Sequence, residues 1–250
     1  MIVGPEAIFG TIGGGALEYM VIEHARRLLA EGRAEEAMDV PLGPEIGQCC
    51  GGRVRVSLRY ADAVLRDDLS SRIAVEDAAL RHVYVFGAGH VGRVLAQMLS
   101  LMPVKVEVID TRAEELAMLA PDVARRRVAM PEAVVRGAPM GSIYVILTHD
   151  HALDFLIAQE ALARADSPYV GMVGSVTKRA KFKSWYLSQG GSPEAFDRLV
   201  LPIGQSGLGD KRPAVIAALA AAEIMVHIGK WEAENGHVPT PIVEGVASGF

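Results

Sequence analysis

The sequence predicts an α/β protein, with a parallel-sheet domain at the C-terminal end and a smaller α+β domain before it. Three observations carry that prediction. A β-branched and aromatic run at Val83, Tyr84, Val85 and Phe86 passes abruptly into Gly87, Gly89 and Gly92, spaced G-x-G-x-x-G at the start of a helical stretch. A second apolar run ends in Asp110, about twenty residues on, where a dinucleotide-binding unit places the acid that grips a ribose hydroxyl. Beyond it, strand and helix patterns alternate, as a parallel sheet with right-handed crossovers requires. The order strand, glycine turn, helix, strand, acid defines a Rossmann-type unit. The chain has 250 residues, half of them hydrophobic, enough for two modest cores. The expected division is a small α+β domain with linker over residues 1–75 and a Rossmann-like domain over 76–250.

Composition narrows the function classes. A formal charge of −5 gives no general attraction to nucleic acid, and no basic tract carries interleaved aromatics. The two cysteines are adjacent, which excludes a disulfide framework and fits a reducing, cytoplasmic compartment. No secretory leader is visible, and the longest apolar stretch, 214–222, is broken by Glu223, so no membrane span is expected.

In chain order, a short strand is expected over 7–12. Gly13, Gly14 and Gly15 follow, and then Leu17, Val21, Ala25, Leu28 and Leu29 trace one face of a helix that Gly32 stops. Three glycines at a helix start either hold an anion or serve as a turn. A weaker segment at 34–40 leads to the loop PLGPEIGQCCGG and an alternating strand at 53–58. Cys49 and Cys50 sit on that glycine-flanked loop, where paired thiols suit a soft metal or reactive-thiol chemistry, with inert burial the plainer alternative. A short helix at 61–66 and a polar linker near 70–81 close the first domain.

In the second domain, helices are expected at 113–119 and 152–165 and strands at 127–130, 141–147 and 169–173. Ligands of such sheets lie outside the carboxyl ends of the strands. Three of these ends are polar. The first is the glycine turn, where His90 could reach a ligand. The second is Thr148, His149, Asp150 and His151, which could line a pocket or, with Asp154, hold a metal; Asp150 also suits a helix N-cap. The third is Ser175, Thr177, Lys178, Arg179 and Lys181, where cations at a helix start ask for an anionic partner unless they form a solvated basic face. Pro213 suits the first turn of an apolar helix through 228. No G-x-S-x-G, H-E-x-x-H or P-loop motif occurs. An NAD(P)-dependent oxidoreductase would need His149 or His151 as its acid, Asp110 on the ribose, and Arg112 beside it to favour a 2′-phosphate. A nucleotide-sensing domain would need only the turn.

Six motifs in order along the chain, GTIGGGALE, PLGPEIGQCCGGRVRV, VYVFGAGHVGRVLA, THDHALD, VGSVTKRAKF and PIGQSGLGDKRPAVIA, resemble the XdhC/CoxI family of xanthine dehydrogenase accessory proteins. The resemblance implies a chaperone rather than an enzyme. Such a protein binds the molybdenum cofactor (molybdopterin), stabilises its sulfurated form, and delivers it to apo-xanthine dehydrogenase or a related molybdenum hydroxylase in concert with a cysteine desulfurase. The pterin phosphate would then lie near 87–92 or at Lys178 and Arg179, and Cys49 or Cys50 near the molybdenum. Members of the family carry a further strand and a G-S-x-P-R-like segment ahead of T-I-G-G-G. Without it an edge of the small sheet would stand uncovered, and pairing with a second copy would cover it, in keeping with the homodimer that the family implies.

Overall fold

The computed structural model describes residues 1–43, 52–204 and 209–235. Among the described residues it divides into two compact units, Met1–Glu76 and Asp77–Asn235.

In the first unit, β1 (Ile2–Val3) pairs antiparallel with β2 (Ile8–Phe9), a shorter strand than the 7–12 expected. Helix α1 (Gly15–Glu31) ends at Gly32, which takes the left-handed conformation at φ 66° and so closes the helix without a Cβ penalty. Gly13, Gly14 and Gly15 also have positive φ. The donors of this glycine turn are met from within: the Glu18 carboxylate accepts from the Thr11 hydroxyl and from the amides of Ile12 (2.9 Å) and Gly14 (3.2 Å). Of the two sequence alternatives the turn therefore prevails, and its anion is the chain's own. The weak segment after α1 becomes a full strand, β3 (Glu35–Pro41), paired from Glu35↔Arg59 to Pro41↔Arg53 with β4 (Arg53–Arg59). Its partner is distant in sequence, and strand formation depends on that partner more than on local propensity. Cys49 and Cys50 lie outside the described residues. The short helix and polar linker expected over 61–81 are one helix, α2 (Ala63–Ala79), with no buried residue. It has no single apolar face: Val64, Ile73 and Val75 are all exposed, which is why periodicity does not reveal it.

The second unit runs β5 (Arg81–Phe86), α3 (His90–Leu99), β6 (Val104–Asp110), α4 (Ala113–Ala117), β7 (Ala124–Arg127), α5 (Pro131–Gly137), β8 (Ile143–Ile146), α6 (His151–Ala163), β9 (Val170–Met172), α7 (Val176–Ser188), α8 (Pro193–Asp197), β10 (Leu199–Val200) and α9 (Pro213–Asn235). Its six strands are all parallel, in the order β10-β9-β8-β5-β6-β7. The third strand of this unit starts earlier than the 127–130 expected, because its pairing with β6 runs from Glu107↔Ala124 to Asp110↔Arg127. Side chains alternate between two cores. Val83, Val85, Val108 and Val145 face α3 and α9, whereas Tyr84, Phe86, Ile109 and Ile146 face α5, α6 and α7.

By length and composition α9 is long and apolar enough to cross a membrane. One face of it packs in the core: Ala217, Ala220, Ala221, Ile224 and Ile228 are buried in one cluster with Leu95, Ala96 and Leu99 of α3. Glu223, which breaks the apolar run, accepts from the Tyr169 hydroxyl (3.0 Å) and the Gly204 amide (2.9 Å), so its carboxylate is satisfied where α9 meets the sheet.

Candidate functional site

The sheet order reverses between β5 and β8, so the crevice outside their carboxyl ends is the topological switch point, the place where open α/β sheets bind ligands. The glycine turn after β5 forms one wall and the loop from Thr148 to His151 the other.

Each glycine of the turn does a different thing. Gly87 has φ 112°, and a Cβ there would stand 2.4 Å from the Leu147 carbonyl oxygen at the end of β8. A Cβ on Gly92 would stand 1.9 Å from the Gly87 carbonyl oxygen. Both are closed in by backbone. A Cβ on Gly89 would meet nothing within 4 Å, so this residue leaves open space. Gly89 is also the N-cap of α3 and has no side chain to bond the first-turn amides. Backbone donors and the positive end of the helix dipole thus face the crevice together. His90 follows, exposed at the first position of the helix.

At the end of β6, Asp110 is buried, but it is not waiting for a ribose. Its Oδ2 accepts from the Ala88 amide (2.8 Å) and from Arg112 Nη2 (2.9 Å), and its Oδ1 accepts from the amide (3.0 Å) and Nε (3.1 Å) of Arg112. Burial pushes the carboxyl group up, but the hydrogen bonds from Arg112 and Ala88 and the Arg112 charge outweigh it, so Asp110 lies below its ordinary value and stays ionised at neutral pH.

Across the crevice, Asp150 is the N-cap of α6 and accepts from the Ala152 amide at 2.8 Å. His149 and His151 are exposed on either side of it. Thr148 turns inward: its amide (3.1 Å) and hydroxyl (2.6 Å) both donate to Asp154 Oδ1. Asp154 is fully buried, and its Oδ2 accepts from Lys178 Nζ, which also donates to the Val173 carbonyl oxygen at 2.9 Å. The anion that the basic helix start asks for is therefore Asp154, 24 residues upstream. Ser175 caps α7 by accepting from the Lys178 amide at 3.2 Å. The Arg179 guanidinium donates to the Leu199 carbonyl at 2.8 Å and lies over the Phe196 ring, 4.7 Å from its centroid.

Lys178, Arg179, Ser175 and Asp150 thus serve the fold around the crevice, whereas Gly89 leaves space open in it and His90, His149 and His151 are exposed. With Asp154 engaged, the loop does not gather a metal: among the described residues no group of three His, Cys, Asp or Glu side chains is placed to hold one. Sequence reasoning missed Arg127, exposed at the end of β7, whose Nε donates to the Thr111 carbonyl at 3.3 Å. The run of three arginines was the one available signal.

A six-stranded parallel sheet in this order, with an open glycine turn at its switch point, defines a Rossmann-type ligand-binding domain. A family model described as the XdhC Rossmann domain matches residues 83–224, and one described as the XdhC and CoxI family matches residues 1–40. The chain belongs to the XdhC/CoxI family. It is 28% identical over 237 residues to the protein YqeB of Escherichia coli (strain K12), a match covering 88% of this chain and 38% of that protein. The chain thus spans well under half the length of that relative. A crystal structure described as a xanthine dehydrogenase from Bacillus halodurans shares the fold, with a TM-score of 0.73 at 18% identity over 89% of this chain and 83% of that one.

Proposed function

We propose that the chain is a cytoplasmic accessory protein that holds the sulfurated molybdenum cofactor and passes it to a xanthine dehydrogenase or a related molybdenum hydroxylase. It is a carrier and not an enzyme. The observation that carries this reading is the open helix end at Gly89. Among the three polar strand ends, α6 is capped by Asp150 and α7 by Ser175, and Lys178 and Arg179 of the third are engaged within the chain. Only the glycine turn keeps amides and space for the phosphate that a molybdopterin carries. Family membership supports the accessory role, and the description of the Bacillus halodurans neighbour supports the choice of recipient. The same reading brings a cysteine desulfurase as the source of sulfur and a homodimeric assembly.

The test is retention. Purified protein is incubated with molybdenum cofactor, freed of unbound ligand by gel filtration, and assayed for co-eluting molybdenum. Gly89 has φ −67° and ψ −172°, an extended conformation open to any residue, so Gly89→Val is expected to fold normally and fill the space above the helix end. Losing the phosphate contacts is expected to weaken retention by about tenfold or more. If the wild-type chain retains no molybdenum, or Gly89→Val retains it fully, the carrier reading fails. Tight nicotinamide binding without molybdenum would favour an oxidoreductase or a nucleotide sensor. In the same assay, exchanging both Cys49 and Cys50 for serine is expected to lower retained molybdenum, since these thiols are suited to a soft metal.

A further inference from the structure

We propose that the carboxyl end of β6 selects a nucleotide bearing a phosphate on its ribose 2′ oxygen, of the NADP(H) type, over one with a free ribose diol. The proposal rests on the same open helix end as the carrier reading and adds to it a second class of ligand.

An ionised carboxylate has about four lone-pair sites. Asp110 uses all of them within the chain, on the Ala88 amide, the Arg112 amide and two nitrogens of the Arg112 guanidinium. Its side chain is only 4% exposed. A ribose diol arriving beside it would find every acceptor position taken. The Ala88 bond also fixes this carboxylate directly beneath the glycine turn, where the ribose next to a turn-bound pyrophosphate belongs.

The groups that face outward here are donors. Arg112 covers the carboxylate with its own side chain 28% exposed. Arg127 pairs with Asp110 in the sheet register, and strand alternation puts the two side chains on the same face. Arg127 is exposed, its Nε is tied only to the Thr111 carbonyl, and no carboxylate lies within ion-pair distance among the described residues. Thr111 lies between Asp110 and Arg112 in sequence and adds a hydroxyl. Two guanidinium groups and a hydroxyl suit a phosphate, whose oxygens accept, far better than a diol, whose hydroxyls need acceptors. Glu115 is the nearest competing anion, 3.4 Å from Arg112 Nη1, but its closer partner is Arg93 at 2.8 Å.

Calorimetric titration of the full chain, prepared free of molybdenum, with 2′,5′-ADP, 5′-AMP, NADPH and NADH tests this directly. The phosphorylated member of each pair is expected to bind about tenfold tighter or more, with a preference that shrinks as salt rises. Arg112→Ala uncovers Asp110 and removes one guanidinium, so the preference is expected to reverse toward NADH and 5′-AMP. Loss of fold alone would weaken both members of a pair and reverse nothing. Arg127→Ala should narrow the preference without reversing it. Equal or tighter binding of NADH, no binding of any of the four, or an Arg112→Ala variant with the wild-type preference overturns the proposal. Because molybdenum retention is measured separately, a chain that retains molybdenum yet ignores the 2′-phosphate sinks this inference and leaves the carrier reading standing.

Discussion

Replacing Asp154 with alanine is expected to lower the stability of the sheet domain by about 3–5 kcal/mol, read as the shift of the urea unfolding midpoint at unchanged slope. The cost lies mostly in what is left behind. Lys178 has a side chain only 9% exposed, and without Asp154 its ammonium would keep only the Val173 carbonyl. The Thr148 amide would lose its acceptor as well, while its hydroxyl would keep the Asp150 carbonyl oxygen at 2.9 Å. A buried ion pair contributes little compared with two apolar side chains of similar size, so Asp154→Leu combined with Lys178→Met is expected to recover most of the loss. A single-variant cost under about 1 kcal/mol would mean that the pair does not hold the strand ends together. The consequence for function is local. Asp154 anchors the loop that carries His149 and His151, so the paired replacement should restore most of the stability while leaving that loop looser, because the Thr148 amide has no acceptor in either variant.

Alanine at Gly87 is expected to lower stability by about 2–5 kcal/mol: about 1–2 for a non-glycine residue at φ 112° and about 1–3 for the clash with the Leu147 carbonyl. Gly92→Ala is expected to cost about 1–3 kcal/mol, because its Cβ would meet the Gly87 carbonyl oxygen and push the first turn of α3 off the sheet. Thermal unfolding is the measurement, and shifts of several degrees follow for a domain of this size. The contrast with Gly89 makes the series diagnostic. Side chains at Gly87 and Gly92 damage the fold first and binding as a result, whereas one at Gly89 damages binding alone. If all three variants melt alike, the open space at Gly89 is not a ligand's place.

The glycine turn and Asp110 were legible in the sequence because their spacing is set locally, by one strand, one turn and one helix. So was the N-cap at Asp150, which serves an amide two residues away. The partners of Lys178 and Arg179 were not, since Asp154 and Leu199 come from other elements that only the folded sheet brings alongside. Asp110 shows the subtler limit. Its position was read correctly, but whether its acceptors are free depends on how the Arg112 side chain folds back over it, and residue type does not fix a rotamer. Strand β3 and helix α2 were missed or cut short because the first owes its form to β4 and the second has no apolar stripe to betray it.

Both borders of the six-stranded sheet are guarded. At one margin β10 contributes two residues, too few to template a neighbour, and at the other β7 presents Arg125, Arg126 and Arg127. A second molecule approaching either side meets a stub or a run of arginines, of which Arg126 is paired with Glu107, so this sheet is not expected to lengthen by adding strands. Self-association of the domain is therefore expected to be built from its helices and loops.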